Sequence, residues 1–239
     1  MGSARDDGSA LMGPEEWEIV RLSLKVSAVA VGACLPVAFA LAWILARGRF
    51  AGLVLLDALV HLPLVLPPVV TGWLLLIAFG PQGPAGRWLE SWIGLTFLFR
   101  WTGAALAAAV MALPLMVRAI RLSIEGVDRR LEAAAMTLGA SRWRVFRTIT
   151  LPLALPGVVA GAVLGFARSL GEFGATITFV SNIPGETRTL PLAIYSALQV
   201  PGAEAEVTRL ALVSVLLSLA ALVVSEVLAR RAGRAGHVL

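Results

Sequence analysis

The stretch DRRLEAAAMTLGASRWRVFRTITLP, residues 128–152, is a polar, arginine-rich insert between two apolar segments. Asp128 can accept a hydrogen bond from the free N–H groups of a first helical turn, and Glu132 places a negative charge near the same positive helix end. Gly139 can adopt the left-handed conformation that ends a helix, and Ser141 can cap a second short helix. The sequence therefore predicts a bent pair of short helices, called the elbow below, that projects from an apolar domain.

The composition of the whole chain is that of a membrane protein. Of its 239 residues, 58% are hydrophobic and only 15% are charged, and the mean hydropathy is +0.85. A soluble globular domain is much less apolar. The net charge of +5 comes from arginines that stand beside apolar segments, which is typical of membrane topology rather than of nucleic-acid binding. The one cysteine, Cys34, excludes a disulfide framework and a cysteine metal site.

Apolar segments long enough to cross about 30 Å of hydrocarbon predict an all-α polytopic membrane helical bundle with about five spans. The predicted spans are residues 26–46, 53–79, 101–117, 151–170 and 210–228. Another apolar segment, residues 189–200, is too short to span and predicts a re-entrant or interfacial helix.

The distribution of charge predicts the orientation of these spans. Arginines are concentrated after the first span, around the elbow and after the last span, whereas most acidic residues lie in the other connecting segments. The positive-inside rule then places the N-terminus outside and the elbow and C-terminus in the cytoplasm. This divides the chain into a flexible external segment (1–18), a transmembrane domain (19–232) whose polar loop covers 122–150, and a cytoplasmic tail (233–239).

The second predicted span contains the unusual run HLPLVLPPVVTG, residues 61–72. Pro67, Pro68 and Gly72 are expected to break or bend its helix within the membrane. Irregular backbone at that depth must face protein or water rather than lipid. In other transporters such breaks indicate the substrate path, so these three residues are candidates for a broken-helix path.

Arg168 and Glu172 lie four residues apart at the predicted outer end of the fourth span. Ionisable groups within a membrane usually pair with each other or line an interior. Gly171 precedes Glu172 and Phe173, and would allow the chain to bend there. These four residues are candidates for a gate, and an ion pair with a purely structural role is the alternative.

No catalytic constellation is evident in the sequence. It has no Walker-type phosphate-binding loop, no histidine, cysteine and acid cluster with metal-ligand spacing, and no nucleophile–base arrangement. The chain is therefore predicted to be a transport subunit without a catalytic site, metal or cofactor of its own.

Glu132-Ala133-Ala134, followed by Gly139, Ile149 and Leu151-Pro152, resembles the cytoplasmic coupling loop of ABC importer permeases. The resemblance implies that the elbow docks on an ATPase subunit. The contact residues it implies are Glu132, Ala133, Ala134, Leu138, Gly139 and Arg142. In the alternative, the elbow lies on anionic lipid through its arginines and Trp143.

Together with the elbow, the segments LPLVLPPVVTG, SLGEFGATITF and IPGETRTLPLAIY resemble the permeases of molybdate importers. The resemblance implies a type I ABC importer permease in the inner or plasma membrane, acting by alternating access. It also implies a permease homodimer, two cytoplasmic ATPases that use ATP and magnesium, and an external molybdate-binding protein. Tungstate is an equally suitable cargo. The alternatives are a sulfate/thiosulfate permease and a secondary transporter that needs no ATPase.

Overall fold

The computed structural model describes residues 12–235, and every regular element in that range is helical. The elements are α1 (Pro14–Arg47), α2 (Leu53–Val65), α3 (Pro68–Phe79), α4 (Pro84–Ile93), α5 (Trp101–Glu125), α6 (Arg129–Thr137), α7 (Arg142–Val145), a π-helical turn (Phe146–Thr150), α8 (Leu151–Leu170), α9 (Gly174–Val180), α10 (Leu190–Ala197) and α11 (Glu204–Ala235). The predicted segment 1–18 and tail 233–239 lie partly outside the described residues. Residues 14–18 belong to α1.

Four helical segments are long and apolar enough to cross a membrane: Pro14–Arg47, Trp101–Glu125, Arg142–Leu170 and Glu204–Val224. The pair α2 and α3 passes the same test together, but the two helices are bent by 116° at their junction. The described residues therefore supply four continuous candidate spans and one broken candidate, in agreement with a bundle of about five spans.

Three of the helices extend beyond the spans predicted from hydropathy. Residues 26–46 were predicted for the first span, whereas α1 begins at Pro14. Proline is well suited to a first helical position, and Glu15 and Glu16 favour the positive helix end. Hydropathy marks only the apolar part of a helix, so such polar first turns escape it.

The centre of the bundle is formed by α1, α5 and α8, and small residues allow these helices to approach closely. In α5, Ala104, Ala107 and Ala112 are completely buried. The glycines that recur every fourth residue in α8 face α5. A Cβ atom on Gly165 would lie 2.6 Å from Met116 Sδ, and one on Gly161 would lie 3.1 Å from the Met116 carbonyl oxygen. This glycine stripe is therefore the face of α8 that packs against α5.

Polar contacts tie the helices together at each end of the bundle. At one end, Arg47 at the end of α1 pairs with Glu132 of the elbow at 2.8 Å. At the other end, Glu16 at the start of α1 pairs with Arg209 of α11 at 2.9 Å. The elbow therefore lies at the end of the bundle where α1 finishes, and α11 begins at the opposite end.

The short apolar segment near residue 190 forms α10, which has only 8 residues. Leu190 and Leu192 are buried, and the Leu190 N–H donates a hydrogen bond of 2.8 Å to Ser23 Oγ in α1. The prediction of a helix too short to span is confirmed. It packs beside the first helix instead of forming a separate span.

Candidate functional site

The elbow has the local structure that its capping residues predict. The Asp128 carboxylate accepts a hydrogen bond of 2.8 Å from the Arg130 N–H and begins α6. Gly139 has φ of +87°, a conformation that is strained for residues with a side chain. Ser141 Oγ accepts a hydrogen bond of 3.3 Å from the Arg144 N–H and begins α7. The predicted helix, glycine turn and second helix are therefore confirmed.

The outer face of the elbow exposes large apolar side chains beside its arginines. Leu138 is 87% exposed and Trp143 is 65% exposed. The remaining predicted docking residues with exposed side chains or backbone are Ala133, Ala134, Gly139 and Arg142. A patch of this kind is typical of a protein or membrane contact.

Glu132 differs from the other predicted docking residues because its carboxylate faces the end of α1 instead of the exposed surface of the elbow. Its side chain is 16% exposed and pairs with Arg47, with Oε1 2.8 Å from Nη2 and Oε2 3.1 Å from Nη1. Thr150 donates a third hydrogen bond of 2.7 Å to Oε1. Sequence reasoning missed both partners: Arg47 was interpreted only as a topology signal, and Thr150 had no signal at all.

The elbow continues directly into the membrane. The segment from Arg142 to Leu170 is helical without interruption and includes a π-helical turn, Phe146–Thr150. The Phe146 ring packs edge-on against Trp43 of α1, with ring centroids 5.2 Å apart, and stacks on Trp143 at 5.3 Å. One helical element thus connects the exposed patch to the far end of α8.

At that far end, Arg168 and Glu172 form the predicted ion pair, with Nη1 and Oε2 2.7 Å apart. Glu172 is only 3% exposed, and its Oε1 accepts a hydrogen bond of 2.8 Å from the Ala175 N–H at the start of α9. Gly171 ends α8 with a negative φ of −93°, so its backbone is not in the left-handed region. The Phe173 ring lies 4.9 Å from that of Tyr195.

The predicted break in the second span lies next to this ion pair. Pro67 and Pro68 stand at the junction of α2 and α3, whereas Gly72 lies inside α3. A Cβ atom on Gly72 would be 2.6 Å from the Ala175 carbonyl oxygen, and one on Gly174 would be 2.6 Å from Pro68 Cβ. The two candidate sites, the broken helix and the gate, are therefore in direct contact through α3 and α9.

A second polar network joins α2 to α5 near the elbow end. Asp57 Oδ1 lies 3.3 Å from His61 Nδ1 and 3.0 Å from Arg121 Nη1, and Arg121 Nε lies 2.8 Å from Glu125. Asp57 and His61 lie one helical turn apart in α2, whereas Arg121, which Asp57 shares with Glu125, comes from α5. A cavity of about 340 Å³ adjoins this network. Among residues 12–235, no group of three or more histidine, cysteine or acidic residues could hold a metal ion.

Another cavity lies at the opposite end of the bundle, between the starts of α1 and α11 and the helix α10. It has a volume of about 780 Å³, and its charged lining residues are Glu15, Glu16, Arg188, Glu206 and Arg209. Arg188 Nε donates a hydrogen bond of 3.1 Å to Asn182 Oδ1. Both signs of charge line this cavity, so it is not a simple anion trap.

Comparison with known proteins gives close relatives over most of the chain. Residues 35–234 match the family described as binding-protein-dependent transport system inner membrane component. The chain is 61% identical to the molybdenum transport system permease protein ModB of Escherichia coli K12 over 92% of this chain and 97% of the relative. It is 60% identical to ModB of Haemophilus influenzae over 90% of this chain and 94% of the relative.

A sulfate transport protein and a solved structure are more distant. The sulfate transport system permease protein CysT of Escherichia coli K12 is 43% identical over 66% of this chain and 57% of the relative. A bacterial alginate ABC transporter, solved with its alginate-bound periplasmic protein, has a chain with a TM-score of 0.72, which covers 97% of this chain and 84% of its own at 19% identity. At that identity the likeness indicates the fold, which is that of an ABC importer permease.

Proposed function

The chain belongs to the family of binding-protein-dependent transport system inner membrane components, and we propose that it is the permease of an ATP-driven importer whose cargo is molybdate. The observation that best supports molybdate as the cargo is the 61% identity to a molybdenum permease over nearly the whole of both chains. Sulfate is less favoured because the sulfate permease matches at 43% identity over 57% of its length. Tungstate resembles molybdate in charge and shape and is expected to compete for the same path.

In this proposal the permease works as a homodimer with two cytoplasmic ATPases, which use ATP and magnesium, and an external molybdate-binding protein. The exposed face of the elbow, with Leu138 and Trp143 at its centre, would dock into the ATPase. The N-terminus would lie outside the cell and the C-terminus in the cytoplasm. The elbow would then share the cytoplasmic side with Arg47, which it contacts.

The proposed mechanism is alternating access between two populated conformations. ATP-driven closure of the ATPases would move each elbow, and the continuous helical segment Arg142–Leu170 would carry that movement across the membrane. Its far end holds Arg168 and Glu172, and Glu172 accepts a hydrogen bond from the start of α9, which packs closely against α3. A shift of α8 would therefore reach the broken helix through α9, and the path would open towards the binding protein.

A tetrahedral dianion such as molybdate needs a polar path through the permease, but it does not need a site there that binds it strongly. Arginines clustered within the spans would hold the ion strongly and slow its release. Two arginines of the long helices are paired with acidic residues: Arg168 pairs with Glu172, and Arg121 pairs with Asp57 and Glu125. This arrangement supports selectivity that resides mainly in the binding protein.

The test is uptake of molybdate, tungstate and sulfate by cells with and without this chain, each expressed with the ATPase and the binding protein. We expect molybdate uptake only when the chain and an active ATPase are both present. Uptake of sulfate alone would support the sulfate alternative. Uptake that persists with an ATPase unable to hydrolyse ATP would support a secondary transporter, and co-purification of the ATPase with the chain gives an independent measurement.

A further inference from the structure

Arg47 and Glu132 form the closest polar link between α1 and the elbow. Arg47 is the last residue of α1, and Glu132 lies in the first turn of α6, 85 residues later in the chain. Two parallel N–H···O bonds of 2.8 and 3.1 Å join them. Each side chain is 16% exposed, so solvent screens this pair much less than an ordinary surface pair.

The geometry of the pair fixes orientation as well as distance. A bidentate arginine–carboxylate pair holds both planes in one relative position, which a single lysine contact would not do. The Arg47 guanidinium also lies 5.7 Å from the centre of the Trp43 ring, and Trp43 packs against Phe146 of the elbow. Thr150, which is 1% exposed, donates the remaining hydrogen bond to Glu132. Three elements therefore meet at one carboxylate: α1, α6 and the π-helical turn.

The elbow consequently has two attachments to the membrane domain. One is the continuous helix into α8, and the other is this contact with the end of α1. If only the first existed, a displacement of the elbow would act on α8 alone, and α6 could pivot about the glycine turn at Gly139. Because the contact with α1 is also present, both α1 and α8 are attached to the elbow.

We infer that Glu132 is a positioning residue that braces the elbow to α1 through Arg47, so that an ATPase which displaces the elbow moves α1 and α8 together. This inference rests on the proposed function. It reassigns Glu132 from the docking surface to the interior of the elbow, because all three hydrogen bonds that its carboxylate accepts in the described chain come from Arg47 and Thr150. Docking is left to the exposed residues around it, such as Ala133 and Leu138.

The test compares Glu132→Gln, Arg47→Gln and the double variant in the full importer, with Arg49→Gln as the control. Arg49 is exposed, is two residues from Arg47, and makes no ion pair within residues 12–235. Two quantities are measured: the unfolding temperature of the purified permease, and molybdate transported per ATP hydrolysed in liposomes. We expect each single variant to lower the unfolding temperature by roughly 2–4 °C. We also expect each to lower the transport ratio several-fold, while the ATPase still co-purifies.

The double variant decides whether the two residues act on each other. A brace predicts that the double variant is little worse than either single variant in both measurements, because the second change removes an interaction already lost. Simple additivity would overturn the inference. So would loss of ATPase co-purification in Glu132→Gln but not in Arg47→Gln, which would make Glu132 a direct docking contact. A wild-type complex that moves no molybdate would refute the proposed function, and the unfolding measurements would still decide on the brace.

Discussion

Arg168 and Glu172 form an ion pair of 2.7 Å at the end of α8, and the same Glu172 carboxylate caps α9 through the Ala175 N–H. The two contacts use different oxygens, since Oε2 faces Arg168 and Oε1 accepts the backbone bond. Glu172 is buried, whereas the Arg168 side chain is 27% exposed. Glu172 therefore carries two structural interactions and Arg168 carries one.

This asymmetry predicts unequal effects of neutral substitutions. Glu172→Ala loses both the pair and the bond to the Ala175 N–H but leaves no buried charge behind, and it is expected to lower the free energy of unfolding by about 2 kcal/mol. Arg168→Gln keeps that backbone bond but leaves the buried Glu172 carboxylate without its cation, and it is expected to cost about 3 kcal/mol or more. The exchange Arg168→Glu with Glu172→Arg is expected to restore only part of the stability, because an arginine cannot accept the Ala175 N–H bond. Denaturation of the purified permease measures all three.

The outcome also separates a structural ion pair from a gate. If Arg168→Gln lowers stability but leaves molybdate transported per ATP unchanged, the pair has only a structural role. If it changes the transport ratio at nearly unchanged stability, Arg168 belongs to the gate. Effects that simply add in the double neutral variant would argue against any pairing.

The features that were predictable from sequence are those set by local spacing. The distance of four residues between Arg168 and Glu172 places them on one helical face, and Asp128, Gly139 and Ser141 mark helix ends by their own chemistry. In each case the partner atoms lie within a few residues or along one helix.

The features that sequence reasoning missed depend on residues that are distant in the chain. Nothing in the neighbourhood of Glu132 indicates that Arg47 is its partner, because many arginines flank the spans and all of them fit the topology rule equally well. The role of Gly72 was missed for the same reason. Its position after two prolines predicted a bend, but its contact with Ala175 depends on how α3 packs against α9.

The contact between Gly72 and α9 gives a second prediction. In Gly72→Ala, the new methyl group would lie 2.6 Å from the Ala175 carbonyl oxygen, so α3 or α9 must shift. We expect a loss of stability of about 1–3 kcal/mol and reduced molybdate uptake. Gly32→Ala is the matched control, since a Cβ atom there has no neighbour within 4 Å and alanine is the better helix former. Equal behaviour of the two variants would show that α3 and α9 do not depend on this close contact.

The proposed orientation can be tested with single cysteines at opposite ends of the bundle. Glu186 and Arg49 are both exposed, and Glu186 lies between α9 and α10 whereas Arg49 follows α1. A membrane-impermeant thiol reagent is expected to label Glu186→Cys in intact cells with a permeable outer layer, and to label Arg49→Cys only after lysis. The unsubstituted chain is the control because its Cys34 is buried. The reverse labelling pattern would place the elbow outside and contradict docking to a cytoplasmic ATPase.

Two reasons could explain the glycine at position 139: the backbone conformation of the turn, or close approach of a docked partner to the bare backbone. Its φ of +87° is inaccessible to proline and strained for a β-branched residue, and its N–H donates a hydrogen bond of 3.0 Å to the Met136 carbonyl. A Cβ atom at this position, however, has no neighbour within 4 Å in the described chain. Any crowding must therefore come from a docked partner.

Three variants at Gly139 distinguish these reasons. Gly139→Pro and Gly139→Val are expected to distort the turn, at a cost of about 1–2 kcal/mol, and to uncouple ATP hydrolysis from molybdate uptake while the protein still inserts. Gly139→Asn can keep the left-handed backbone and is expected to match the wild type in stability. If Gly139→Asn also binds the ATPase normally, the turn matters for its shape. If it is stable but fails to bind the ATPase, the bare backbone at Gly139 is itself the contact. Wild-type coupling in all three variants would remove the turn from the mechanism.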